Sequence, residues 1–145
     1  MKKTTVVISG GFDPVHVGHI RYIQQAKMLG DTLVVILNND NWLLKKKGTT
    51  FMPEQERKEI LESIAGVDLV ILSMHEKNTQ DMSVCKELLM IKPDIFANGG
   101  DRKKSNTPEK DICEKYNIKQ VFNVGGGKVQ SSSWLTDKYS KESKQ

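Results

Sequence analysis

The chain has 145 residues, two cysteines and a formal net charge of +4. That length supplies one domain, residues 1–145, with a core of its own, so neither a disulfide framework nor a structural metal is needed. Cys85 and Cys113 lack a metal-ligand spacing and are expected as buried free thiols in a reducing cytoplasm. The mild charge, with no aromatic-interleaved basic stripe, argues against a nucleic-acid surface. The apolar stretch after Lys2 and Lys3 is too short for a signal peptide or a membrane span.

In chain order, the first β-rich apolar run covers residues 4–8, and a helical pattern follows over 18–29, stopped by Gly30. A second strand is expected at 32–37, then a polar stretch holding Lys45, Lys46 and Lys47. Pro53 opens a helix over 53–64, since a proline in the first turn sacrifices only an N–H that has no partner there. A strand at 69–72 and a helix at 82–91 come next, then a strand at 95–97 and a basic loop with Arg102, Lys103 and Lys104. Thr107 caps a helix over 108–116, a fifth strand covers 119–123, and a last helix runs from about Ser131 to a polar tail at 138–145.

Strands alternating with helices imply an α/β fold: a Rossmann-like three-layer sandwich with a five-stranded parallel sheet and helices on both faces. Ligands of such sheets bind beyond the C-terminal ends of the strands, where the strand order reverses. The informative loops are therefore 9–18, 38–52, 73–81, 98–107 and 124–131. They gather His16, both basic clusters, Asp101 and Gly125–Gly127, while His19 and Ser131 lie just inside the helices that follow.

Two glycines after the first strand, Gly10 and Gly11, let a ligand approach the backbone closely. The helix behind them adds its positive end. His16 and His19, three apart with Gly18 between, can point the same way and donate hydrogen bonds to phosphate oxygens. No Asp or Glu is placed as an obvious base, and no third or fourth ligand accompanies the histidines for zinc. The pattern is one of charge stabilisation and positioning, the means by which phosphoryl-type transfers are catalysed.

With these residues in view, the chain resembles the small nucleotidyltransferases of the cytidylyltransferase-like superfamily. His16-Val17-Gly18-His19 matches the H-x-G-H motif, and Gly10-Gly11-Phe12-Asp13 resembles the G-T-F-D or G-C-F-D start. Glu56-Arg57-Lys58 resembles the segment after the lysine loop, Gly99-Gly100-Asp101 the loop after the fourth strand, and Gln130-Ser131-Ser132-Ser133 the opening of the last helix. The pattern is nearest to glycerol-3-phosphate and ethanolamine-phosphate cytidylyltransferases and to heptose-type sugar-phosphate nucleotidyltransferases. Gly11 replaces the usual Thr or Cys. Lys128 stands where the glycerol-phosphate enzymes carry an arginine, which leaves adenylyl transfer open beside cytidylyl transfer.

The resemblance implies transfer of a nucleoside monophosphate, CMP from CTP in the first instance and AMP from ATP as the alternative, to a small phosphorylated alcohol or sugar. Pyrophosphate leaves, and Mg²⁺ arrives with the triphosphate. A non-catalytic nucleotide-binding module is the competing class. By resemblance His16, His19 and Lys46 are catalytic. Gly10, Gly11, Phe12, Gly18, Asp101, Gln130, Ser131 and Ser132 bind the nucleotide, and Asp13 and Arg57 face the acceptor. Arg57 has a second role open to it, holding a strand-end loop, and Asp13 could instead touch the Mg²⁺. A homodimer is implied as well. Plainer expectations apply elsewhere: His75 exposed in a polar loop, Trp42 packed under the lysines, Arg57 paired only with Glu54, and Asn98 closing a turn or reading the base.

Overall fold

The computed structural model describes residues 3–99 and 108–125. Five strands form one parallel sheet: β1 (Thr5–Gly10), β2 (Thr32–Leu37), β3 (Leu69–Leu72), β4 (Ile95–Gly99) and β5 (Lys119–Val124), in the order β3-β2-β1-β4-β5. The chain starts in the middle, steps outward twice, then crosses to the other side of β1. The order therefore reverses between β1 and β4, and a crevice for a ligand opens at their C-terminal ends.

Side-chain alternation divides the sheet into two apolar faces. Val6, Ile8, Leu33, Val35, Leu37 and Ala97 pack with Ile23, Ala26 and Leu61, which come from α1 (Val17–Lys27) and α3 (Glu54–Glu62). Val7, Val34, Ile36 and Phe96 pack on the opposite face with Leu88 of α4 (Cys85–Ile91) and Cys113 of α5 (Lys110–Lys115). Strands buried on both sides read as continuous runs of Val, Ile and Leu, which is how β1 and β2 could be recognised. The expected three-layer α/β architecture is the one observed among the described residues.

The differences from the sequence-based elements are local. The lysine cluster lies on a helix, α2 (Asp40–Lys47), rather than a loop. Asn39 caps it by accepting from Trp42 N, and Gly48 ends it in the left-handed region at φ 82°. Three successive lysines at its last turn suit the negative end of the helix dipole. Pro53 is the N-cap of α3 and not its first residue. Strands β4 and β5 run two and one residues further than expected. Cys113 is buried as expected, but Cys85 is only half-buried at the start of α4. No helix among the described residues is long and apolar enough to cross a membrane.

Candidate active site

The segment leaving β1 is held by its own side chains. Phe12 is buried and takes a left-handed backbone (φ 49°), so the chain turns sharply before the cis Asp13–Pro14 bond. His16 then opens α1 from an extended conformation (φ −141°, ψ 179°), a geometry suited to an N-cap. Its Nδ1 accepts from Gly18 N at 3.1 Å, and His19 Nδ1 accepts from His16 N at 3.2 Å. The two histidines thus form a reciprocal capping box in place of the usual Ser and Glu.

This arrangement fixes the chemistry of both rings. A nitrogen that accepts a backbone N–H carries no proton, so each neutral ring holds its proton on Nε2. The rings stack with centroids 3.9 Å apart and planes 25° from parallel, and the edge of Phe12 supports His19 at 4.8 Å. Burial, the adjacent His16 ring and the charge of Lys47 hold the His19 pKa down to about 3. At neutral pH His19 is therefore a neutral Nε2–H donor, not an imidazolium. The two rings sit side by side at the positive end of α1, the relation the H-x-G-H spacing predicts.

Gly11 is glycine for a local reason. A Cβ there would lie 3.1 Å from Leu43 Cδ2 and 3.3 Å from the Trp42 ring. Trp42 itself is packed, as expected, with its indole N–H donating to Met82 O at 2.9 Å.

Asp13 and Arg57 are placed differently from the acceptor-binding role considered for them. Asp13 is buried, and its carboxylate oxygens accept from Phe51 N and Met52 N, both at 2.6 Å. Arg57 is completely buried. Its Nη1 donates to Gly11 O and Asn38 O at 2.7 Å, its Nε to Met52 O at 2.9 Å, and its Nη2 to Asp40 at 2.7 Å. The guanidinium thus ties the ends of β1 and β2 to the loop before α3, the strand-end role. The partner of Glu54 is Asp40 N, so the simple Arg57–Glu54 pair is not formed. Both groups are used by the protein because the rigid fork of Arg and the two oxygens of Asp match converging backbone groups.

Of the lysines, Lys46 Nζ stands over the Trp42 ring at 4.8 Å, while Lys47 is the one whose charge acts on His19. Sequence reasoning could not single out Lys47, because only the helical phase of α2 directs it toward the histidines. His75, expected in an exposed loop, is buried between Ser73 Oγ (2.7 Å) and Ser83 O (2.8 Å). A carbonyl cannot donate, so His75 Nε2 carries a proton. Asn98 lies within β4 rather than in a turn, and its Nδ2 donates to Phe96 O at 3.3 Å. Asp101, Gln130, Ser131 and Ser132 lie outside the described residues, as do Arg102–Lys104, Thr107, Lys128 and the last expected helix.

No group of three His, Cys, Asp or Glu side chains among the described residues could hold a metal ion. Asp13, the one acidic residue suggested for Mg²⁺, has its oxygens committed to the backbone.

The chain matches the family described as cytidylyltransferase-like over residues 7–138, which spans both strand halves and the histidine pair. The chain belongs to the cytidylyltransferase-like family. That makes the domain a nucleotidyltransferase in type. Among cytidylyltransferase-like relatives, the bifunctional protein HldE of Syntrophotalea carbinolica is 38% identical over 117 residues, 79% of this chain and 22% of that protein. The FAD synthase of Ferroglobus placidus is 40% identical over 102 residues, 70% of this chain and 61% of that protein. The chain thus spans less than two thirds of either relative. In three dimensions it resembles the lipopolysaccharide core biosynthesis protein of Thermoplasma volcanium, with a TM-score of 0.69 and 29% identity, covering 83% of this chain and 96% of that one.

Proposed function

We propose that the protein transfers a nucleoside monophosphate from a Mg²⁺-bound nucleoside triphosphate to a small phosphorylated acceptor and releases pyrophosphate. A phosphate oxygen of the acceptor attacks the α-phosphorus. The bond to the bridging oxygen breaks, and pyrophosphate departs with the electron pair. The observation that carries this reading is the stacked His16–His19 pair, whose Nδ1 atoms both accept backbone N–H groups. In this reading the Nε2–H of His19, with His16 stacked against it, meets the oxygens on which charge grows in the transition state, and a preorganised donor of this kind acts without reorganising.

Lys47, in the last turn of α2, supplies positive charge beside this pair, and Lys46 on the same turn is assigned to the phosphates in this reading. Gly10, Gly11 and Gly18 bring the backbone close to the nucleotide in this reading, and Phe12 props His19. Asp101, Gln130, Ser131 and Ser132 complete the nucleotide site in this reading, and Asp13 and Arg57 shape it from behind. In this reading the Mg²⁺ would arrive with the triphosphate as part of the substrate and offset the charge of its oxygens.

ATP is the preferred nucleotide. FAD, the product named for the Ferroglobus relative, contains an adenylyl group joined through a phosphoanhydride, the bond such a transfer makes. CTP is the second candidate, since the ordered motifs also resemble the glycerol-phosphate enzymes. A cytoplasmic homodimer is part of the same proposal and is read by light scattering of the purified protein. The decisive experiment is a grid of four nucleoside triphosphates against phosphorylated alcohols, sugars and flavin mononucleotide, scored by pyrophosphate. Turnover with ATP and one acceptor class is the expected result. Nucleotide binding without pyrophosphate anywhere in the grid would make the protein a binding module instead.

A further inference from the structure

Three polar side chains stand where the sheet would otherwise be apolar. On the face covered by α4 and α5, the strands β1, β2 and β4 present Val7, Val34, Ile36 and Phe96 to the core. Two residues on from Val7, Ile36 and Phe96, toward the C-terminal edge, the same alternation brings Ser9, Asn38 and Asn98 to that face. Ser9 lies on β1 and Asn98 on β4, and Asn38 directly follows the last residue of β2, so β1 is in the middle. Neighbouring strands lie roughly 4.8 Å apart, so the trio spans about 10 Å at the point where the strand order reverses.

Asn38 and Asn98 are 3% and 2% exposed, and the Oδ1 of each is buried without a hydrogen-bond partner. A buried orphan acceptor costs ~1–3 kcal/mol, so two of them at a ligand edge call for an explanation. Their backbones are rigidly held. Asn38 N donates to Gly10 O and Asn38 O accepts from Arg57. Asn98 sits inside β4, beside the irregularity in which Ala97 pairs with Val121 but Gly99 with Val124. The extra residue is on β5, where Asn123 takes a left-handed conformation (φ 59°). Irregularities of this kind re-aim side chains next to binding sites.

We propose that Asn38 and Asn98, with Ser9 between them, read the hydroxyl groups of a carbohydrate unit of the substrate. This rests on the nucleotidyltransferase reading and adds the chemistry of what is recognised. Orphan carbonyl oxygens accept only from donors. Phosphate oxygens are acceptors, so the triphosphate is not their ligand. An adenine or cytosine ring offers one exocyclic amino group, whereas acceptors spread over ~10 Å suit the several O–H donors of a sugar or polyol. That unit is either the ribose of the nucleotide or the body of the acceptor.

The test is calorimetric, using intact protein and the variants Asn38→Leu and Asn98→Leu. One probe pair is ATP and 2′,3′-dideoxy-ATP. The other is glycerol 3-phosphate or glucose 1-phosphate against propyl phosphate, each measured with a non-hydrolysable ATP analogue present. The wild-type protein is expected to favour the hydroxylated member of one pair by ~10-fold or more, because a site built around a hydroxyl rejects the analogue that lacks it. Each Leu variant should lose most of that preference while melting no lower than wild type, since an apolar replacement leaves no orphan acceptor. Loss in the first pair assigns the trio to ribose, and loss in the second to the acceptor; both outcomes support the proposal. Unchanged preferences in both pairs, a wild type with no preference, or a melting temperature lowered by several degrees would overturn it. Pyrophosphate release is scored separately. A protein that discriminates hydroxyls yet turns nothing over refutes the reaction and leaves this inference standing.

Discussion

Replacing Arg57 by methionine keeps the stem and removes the guanidinium. Four acceptors then lose their donor at once: Gly11 O, Asn38 O, Met52 O and the Asp40 carboxylate. The arginine side chain is completely buried, while that of Asp40 is a third exposed, so water can rehydrate the carboxylate but not the strand-end carbonyls. Breaking a buried, hydrogen-bonded ion pair costs ~3–5 kcal/mol, a large part of the ~5–15 kcal/mol that keeps a domain folded. At ~2–4 °C per kcal/mol for a domain of this size, the melting temperature should fall by on the order of 10 °C. Arg57→Lys should recover little, because one ammonium cannot reach carbonyls on two strands and a loop together. Thermal melts and urea titrations of both variants measure this directly. An Arg57→Met protein melting within a degree or two of wild type would refute the view that this residue ties the β1 and β2 ends together.

The remaining predictions concern the histidines and lysines. His19→Ala should lower kcat by ~10²-fold or more with a smaller change in nucleotide affinity, as expected for loss of a donor used in the transition state; equal losses in both would mean a role in binding alone. Because the His19 pKa is held near 3 in the folded protein against an ordinary 6.5, the unfolded chain binds more protons between those values. Its contribution to stability is therefore complete above about pH 6.5 and is lost as pH falls toward 3, and His19→Gln should flatten that slope in urea titrations from pH 4 to 7. Lys47→Ala should raise the His19 pKa, measured by NMR of the imidazole protons, because it removes one of the charges opposing protonation. Lys46→Ala should weaken binding of nucleotide and acceptor, read as separate dissociation constants, whereas the exposed Lys45→Ala should leave both near wild type.

The five apolar runs, the glycines after β1 and the H-x-G-H spacing were each legible in the chain, since all depend on period and on neighbours three or four residues away. The capping geometry of His16 and His19 belongs to the same class: residues three apart at a helix start satisfy one another whatever the rest of the molecule does. Asp13 and Arg57 were not legible in this way. The partners of Asp13 are 38 and 39 residues away and those of Arg57 lie 5, 17, 19 and 46 residues away, and only the folded sheet edge brings these groups together. His75 followed the same rule, for its polar surroundings in sequence concealed a pocket closed by Ser83 O and by Asn39 through Ser73.

The sequence alone therefore determined the sheet and the helix that carries the histidines, because local periodicity and local hydrogen bonds decide those things. Tertiary structure decided which polar residues face substrate and which face the protein. It tied Asp13 and Arg57 to backbone groups of the protein, brought Lys47 to His19, and left the Oδ1 atoms of Asn38 and Asn98 without hydrogen-bond partners near the C-terminal edge of the sheet. The physical reason is that a side chain's role depends on the donors and acceptors around it, and at a strand end these come from distant parts of the chain.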